Sequence, residues 1–317
     1  MKKFIVRTFI TFVAVALLAI GLDVLITKNL HKSEARLFQS WNDLFYGNMN
    51  CDAVVMGSSR GFVQYSPAIL DSILGLNSYN LSVDGRCIDA EVAKYNTYIQ
   101  HNPKPKVIIQ NIDFGNLLMS NGYEREQFTP YLYDDVLFNE VKDFDGFTIW
   151  DKCLPLVRYS GYFEVIKEGL HLPNKLNQYP LYKGYFGRDE RWDGTAFKNV
   201  DKVHFSVNTQ AVDIFDKYLA LCKKDGIQVI LVFAPIYIGV SEKMDNNEEM
   251  FDYYQKFADK YDFPLLNYTF DSISYDTAYF YNATHMNKLG SELFTTKLAH
   301  DIDSLQLLEV SSINSTF

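Results

Sequence analysis

The sequence predicts an α/β domain, a parallel sheet with helices on both faces, behind one N-terminal membrane helix. Two observations predict the sheet and a third the membrane helix. From Cys51 onward, short apolar runs alternate with stretches of helical spacing, the order expected of a parallel sheet. Polar and glycine residues follow the first three of those runs, where parallel sheets bind ligands beyond their strand ends. Residues 8–22 carry no charge at all.

Composition narrows the function classes. With 317 residues, 48% apolar and 15% aromatic, the chain is long and apolar enough for a large core and is not disordered. Its formal net charge of -9, without any basic block, argues against a nucleic-acid partner. Cys51, Cys87, Cys153 and Cys222 are far apart, with no C-x-x-C and no histidine at zinc-finger spacing. No metal site is expected. Three disulfide pairings remain open, beside the simpler reading of the cysteines as small buried hydrophobes.

Lys2, Lys3 and Arg7 precede the uncharged run, and apolar character continues to Ile26 past Asp23. Arg7 and Asp23 stand where side chains reach the headgroups, and no A-x-A-like site follows. Residues 1–27 are therefore expected to be an uncleaved signal anchor, with a cleaved signal peptide as the second choice. Either way the remainder is exported, to the periplasmic or cell-surface face. Residues 28–50 read as an amphipathic connector.

The α/β domain is expected over 51–305, with a tail at 306–317. Strands are expected at Ala53–Met56, 78–81, 107–112, Gln228–Phe233 and 265–268. Helices are expected at 89–100, 207–224, 242–261 and 286–298. Residues 114–205 interrupt the alternation with a tract rich in Tyr, Phe and Trp, read as an inserted cap. Its aromatics (Tyr131, Tyr133, Trp150, Tyr159, Tyr162, Tyr182, Tyr185 and Trp192) suit either stacking on sugar rings or a small core of the cap's own.

Chemistry concentrates at two places. Gly57-Ser58-Ser59 follows the first strand, and His285 lies within Asn282-Ala283-Thr284-His285, expected at the start of the last helix. A serine becomes nucleophilic when a base takes its proton and donors hold the developing oxyanion.

A strand-end G-x-S near the N-terminus, with a D-x-x-H-like block before the last helix, resembles the SGNH (GDSL-like) hydrolases. The GSS form behind a membrane anchor looks most like their extracytoplasmic branch, which serves teichoic-acid D-alanylation and polysaccharide O-acetylation. The resemblance covers roughly 51–111 and 208–298. It implies a flavodoxin-like three-layer sandwich, with Ser59 as nucleophile and His285 as general base. The N–H groups of Ser59 and Gly85 would form the oxyanion hole. It implies no metal and no organic cofactor. The implied substrate is an acylated envelope polysaccharide or another acyl ester, and the implied partner a membrane-bound O-acyltransferase.

Two departures stand out. The family's third block, G-x-N-D, reads Gln110-Asn111-Ile112-Asp113 here. Asn111, the candidate third oxyanion donor, is one position out, and one step along a strand turns a side chain to the other face. Losing such a donor costs about 3 kcal/mol of transition-state stabilisation. The aspartate of D-x-x-H is Asn282, which can orient the imidazole but brings no charge; in a serine protease the like change costs about 10⁴ in rate. Asp276 is a candidate substitute.

Each assignment has a structural alternative. Ser59 suits a cap of the helix beginning near Arg60, His285 a packing role, and Gly85 a plain turn. Arg60 suits an anion site, or pairing with Asp84 or Asp113. The functional alternatives are thus an esterase or O-acyltransferase, a catalytically impaired glycan-binding or partner-docking module of the same fold, and a structural envelope protein.

Overall fold

The computed structural model describes residues 1–85, 87–119, 124–176, 178–194, 201–202 and 204–308. Residues 309–317 of the expected tail, and 120–123, 177, 195–200 and 203 of the expected insertion, lie outside the described residues. In chain order the elements begin with α1 (Lys2–Leu30), α2 (Arg36–Tyr46), β1 (Ala53–Met56), α3 (Ser59–Gln64) and α4 (Pro67–Leu74). Next come β2 (Ser78–Asn80), α5 (Ile88–His101), β3 (Val107–Asn111), α6 (Asp135–Asp145), α7 (Ile149–Cys153) and α8 (Phe163–Gly169). The remainder are α9 (Thr209–Lys224), β4 (Gln228–Phe233), α10 (Ile238–Lys243), α11 (Asn247–Tyr261), β5 (Leu265–Asn267), β6 (Phe280–Asn282), β7 (His285–Met286) and α12 (Lys288–Ser304).

The chain forms two units, Met1–Gly47 with Glu124–Pro180, and Asn48–Tyr123 with Leu181–Phe317. The second carries a five-stranded sheet in the order β2-β1-β3-β4-β5. Every pairing in it is parallel. This is the flavodoxin-like doubly wound order, whose ligand crevice lies where the order reverses, between β1 and β3. Strands β2, β3 and β5 each stop one residue before the expected end. Leu81, Ile112 and Tyr268 still donate their N–H groups to the neighbouring strand, to Val55, Val232 and Phe233.

Alternation along the strands sends Val55, Ile109, Ile230 and Val232 into one apolar layer with Phe294, Leu298 and Ile302 of α12 and Leu70 of α4. Helices α5 and α9 pack on one another, with α9 also against β4. Helix α4 was not among the expected elements, although Pro67 starts it and Gly75, left-handed at φ 67°, ends it.

Two helices differ from expectation. The run 242–261 is broken into α10 and α11, because the Asn246 amide bonds both the N–H and the C=O of Phe205 instead of continuing a helix. The last helix runs from Lys288 to Ser304, not over 286–298. Asn287 caps it through Gly290 N–H, and His285–Met286 pairs antiparallel with β6.

In the first unit, α1 is long and apolar enough to cross a membrane. Its apolar side chains up to Val24 and Leu25 are largely exposed, whereas Asp23, Ile26, Thr27 and Leu30 are buried. Arg158 pairs with Asp23 at 2.5 Å, and Thr27 bonds the Tyr159 hydroxyl at 2.7 Å. Gly169 of α8 lies against Ile26, where a Cβ would clash at 2.7 Å. The amphipathic connector is α2, which buries Phe38, Trp41 and Leu44. Of the insertion's aromatics, Tyr131 and Tyr159 are core, while Tyr133 and Trp150 expose most of their surface. In the sheet-bearing unit, Tyr185 is buried and Tyr182 exposed.

No disulfide joins the cysteines among the described residues. Cys51 and Cys222 are buried and Cys87 is half-buried, but Cys153 is exposed, against the expectation of a buried hydrophobe.

Leu298→Ala, at a fully buried position of α12, is expected to lower stability by about 2–5 kcal/mol. Urea unfolding followed by circular dichroism measures it; a loss below about 1 kcal/mol would contradict this packing.

Candidate active site

The site is built at the carboxyl edge of β1. Gly57 passes so close to β3 that a Cβ would lie 2.8 Å from that of Asn111. Ser58 is the N-cap of α3, but its hydroxyl donates to Asp113 Oδ2 at 2.6 Å and caps no amide. Ser59 is therefore the first helical residue rather than the cap, with an N–H that has no intrahelical acceptor. The Ser59 hydroxyl lies 2.7 Å from His285 Nε2, across 226 positions of chain.

The tautomer of His285 follows from its surroundings. Asn282 Oδ1 accepts the backbone N–H groups of Thr284 and His285, both at 3.0 Å. These bonds fix which end of the amide faces the ring. The same oxygen lies 2.9 Å from His285 Nδ1, so Nδ1 carries the proton and Nε2 is left to accept from Ser59. The short β6–β7 hairpin holds this arrangement. Tyr281 stacks on the imidazole with ring centres 5.4 Å apart, and the Arg188 guanidinium lies over Tyr281 at 4.3 Å.

Burial, then the positive charge of Arg60, pushes His285 down to about 4; Asp84 and Asp113 act in the opposite sense. The imidazole is thus neutral throughout the mildly acidic and neutral range. A hydroxyl within hydrogen-bond reach of a neutral, oriented imidazole is the arrangement that general-base activation requires.

The remaining expected residues are distributed as follows. Gly85 is exposed at φ 68°, a left-handed turn position that suits glycine. Asn111 is fully buried and makes no bond to Ser59 or His285. It shares the parity of Val107 and Ile109 and so enters their layer, where Tyr65 donates to its Oδ1 at 2.9 Å. Its Nδ2 donates to Asp113 at 3.0 Å. Asp113 also accepts Gly115 N–H at 2.7 Å and caps the turn after β3.

Arg60 forms no ion pair with Asp84 or Asp113, contrary to the expected pairing. Its guanidinium is buried, donates to the Ala234 carbonyl and lies 4.6 Å over Phe233. Asp276 caps the turn Thr277–Tyr279 through Ala278 N–H at 2.9 Å, and it makes no bond to His285.

The comparisons with known proteins come from solved structures alone. One is a protein from Bacteroides fragilis NCTC 9343 assigned as an acylhydrolase, with 11% identity and a TM-score of 0.42 over 81% of this chain and 88% of that one. Another is a GDSL-like lipase from Bacteroides thetaiotaomicron VPI-5482, with 10% identity, a TM-score of 0.39 and the same coverage. A third is the acetyl xylan esterase AlAXEase, with 12% identity and a TM-score of 0.39 over 80% of this chain and 98% of that one. No family model matches the chain, and no curated protein matches its sequence.

Several residues around the site carried no signal in the sequence. Glu91 is fully buried beneath the β3 end, accepts from Gln110 at 3.0 Å and Asn116 at 2.7 Å, and is pushed well up by burial. Tyr254 donates to the Asp113 carbonyl. Tyr281 and Arg188 stand beside the histidine through ring faces, a contact with no motif. Tyr281 immediately precedes Asn282, however, and proximity to that block was an available clue.

The His285 ring should titrate near 4 rather than 6.5. Its Cε1 resonance in detergent-solubilised protein reports this directly, and Asn282→Asp should move the midpoint upward. Because the unfolded chain takes up this proton near 6.5 and the folded chain does not, the group's contribution to stability falls as pH drops through that interval. A midpoint at or above 6.5 would contradict the geometry.

Proposed function

We propose that the protein is a membrane-anchored, extracytoplasmic serine esterase or O-acyltransferase acting on acyl esters of envelope glycans. The observation that carries this reading is the 2.7 Å contact from the Ser59 hydroxyl to His285 Nε2, with the opposite ring nitrogen held by Asn282.

In this reading Ser59 Oγ attacks the ester carbonyl carbon while its proton passes to His285 Nε2. The resulting oxyanion is held by the N–H groups of Ser59 and Gly85, at an open helix start and a glycine turn. Collapse breaks the ester C–O bond, and His285 returns the proton to the leaving alkoxide. The acyl-serine then passes its acyl group to water or to a sugar hydroxyl; His285 takes the acceptor's proton and returns it to Ser59 Oγ as the acyl–serine bond breaks. Asn282 positions the imidazole. Lacking a carboxylate's charge, it stabilises the imidazolium less, and Arg60 opposes that cation further; both features predict slow turnover. No step calls on a metal or an organic cofactor.

Helix α1 is the proposed anchor. Its exposed apolar stretch supports a membrane span, and the buried Asp23–Arg158 pair supports an uncleaved segment. A membrane-bound O-acyltransferase is the partner proposed to supply the acyl group.

A second reading is favoured by Asn282 and by Ile112 at the third-block asparagine position: a glycan-binding or acyltransferase-docking module with an impaired site. One assay separates the two. Wild-type protein should hydrolyse p-nitrophenyl acetate, Ser59→Ala should lose at least about 10²-fold of that rate, and Asn282→Asp should raise it, by up to about 10⁴-fold. Equal rates for wild type and Ser59→Ala would sink the enzymatic reading. An inert Asn282→Asp would favour the binding module.

A further inference from the structure

A cleft of ≈ 540 Å³ opens in the first unit where α1 leaves its exposed apolar stretch. Val24, Thr27, Lys28, Lys32, Tyr46 and Tyr133 line it, with Asp23 and His31. The volume lies in the range of small-molecule sites.

Its charges sort cleanly. The Asp23 carboxylate is spent on Arg158, on Leu156 N–H at 2.8 Å and on the Tyr133 hydroxyl at 3.0 Å. His31 bridges the Pro130 carbonyl and the Tyr46 hydroxyl, both at 3.0 Å, and burial holds its ring toward the neutral form. Lys28 and Lys32 make no ion pair among the described residues. The two lysines, four positions apart, thus leave a cationic rim above an apolar floor formed by Val24 and the Tyr133 ring.

Height along the helix says what meets this cleft. The exposed apolar run ends at Leu25, and Lys28 lies about 4.5 Å beyond it at the helical rise. The headgroup layer of one leaflet is roughly 5–8 Å thick. A bilayer around α1 therefore puts its phosphates beside Lys28 and Lys32 and the upper acyl chains beside Val24, with Tyr133 at the interface.

We propose that this cleft is a binding site for one anionic phospholipid, its phosphate between Lys28 and Lys32 and an acyl chain along Val24 and Tyr133. The proposal rests on α1 being a membrane anchor and is independent of the Ser59–His285 chemistry.

The test uses the full chain in non-ionic detergent, with bound lipid counted by native mass spectrometry. Dioleoyl-phosphatidylglycerol should bind roughly 30-fold tighter than dioleoyl-phosphatidylcholine, the preference that two interfacial lysines provide. Lys28→Gln with Lys32→Gln should remove the preference while circular dichroism stays unchanged. Val24→Trp, filling the floor, should weaken both lipids. Equal binding of the two lipids, an unchanged preference in the double variant, or competition by chain-free glycerophosphoglycerol as effective as the lipid would each overturn the site. Alkaline carbonate extraction tests the anchor separately. A chain released by carbonate would sink the anchor and this site with it, whereas a retained chain without lipid preference sinks the site alone.

Discussion

The Asp113 carboxylate is the constraint on which the sheet edge depends. It is buried, and it gathers the Ser58 hydroxyl, the Asn111 amide and the Gly115 N–H. A buried carboxylate is costly unless its oxygens are bonded, and here the donors come from the ends of both central strands. The β1 and β3 termini are therefore tied together at the reversal of strand order. With Ser58 turned inward, the next residue faces outward. One hydrogen bond beneath the edge decides which of two adjacent serines meets the histidine.

The histidine is held by a different principle. Its positioning comes from a local turn in which one amide oxygen receives two backbone N–H groups as well as the ring. That turn makes asparagine a workable orienting group, because an amide so pinned cannot rotate its NH₂ toward the imidazole. Geometry is kept and charge is not. An unusually acidic histidine is the electrostatic counterpart, since the ring is buried and the positive charge of Arg60 lies near it.

Much of the sheet was legible in the sequence, since its strands are buried on both faces and read as unbroken apolar runs such as Val229–Val232 flanked by turn residues. Helix limits were less legible, because side chains set them: Asn246 breaks one helix by bonding Phe205, and Asn287 delays another. In the site, Ser59, His285 and Asn282 stood out through spacing. Asn111 shows the limit of such reasoning. Its neighbourhood is fixed by strand parity and by Tyr65, a residue 46 positions away that no local pattern connects to it. The Arg60 environment was illegible for a similar reason: a carbonyl and a ring face, not a carboxylate, receive the guanidinium.

Helix α1 runs from Lys2 to Leu30 without a break, and its last turns are sealed into the first unit by Asp23, Thr27 and Leu30. No flexible hinge separates the exposed part from the sealed part. In a lipid sheet, such a helix adjusts its lean to the local hydrocarbon thickness. With α1 as the proposed anchor, the first unit would follow that lean, and the thickness of the host membrane would set the angle at which this unit stands above it.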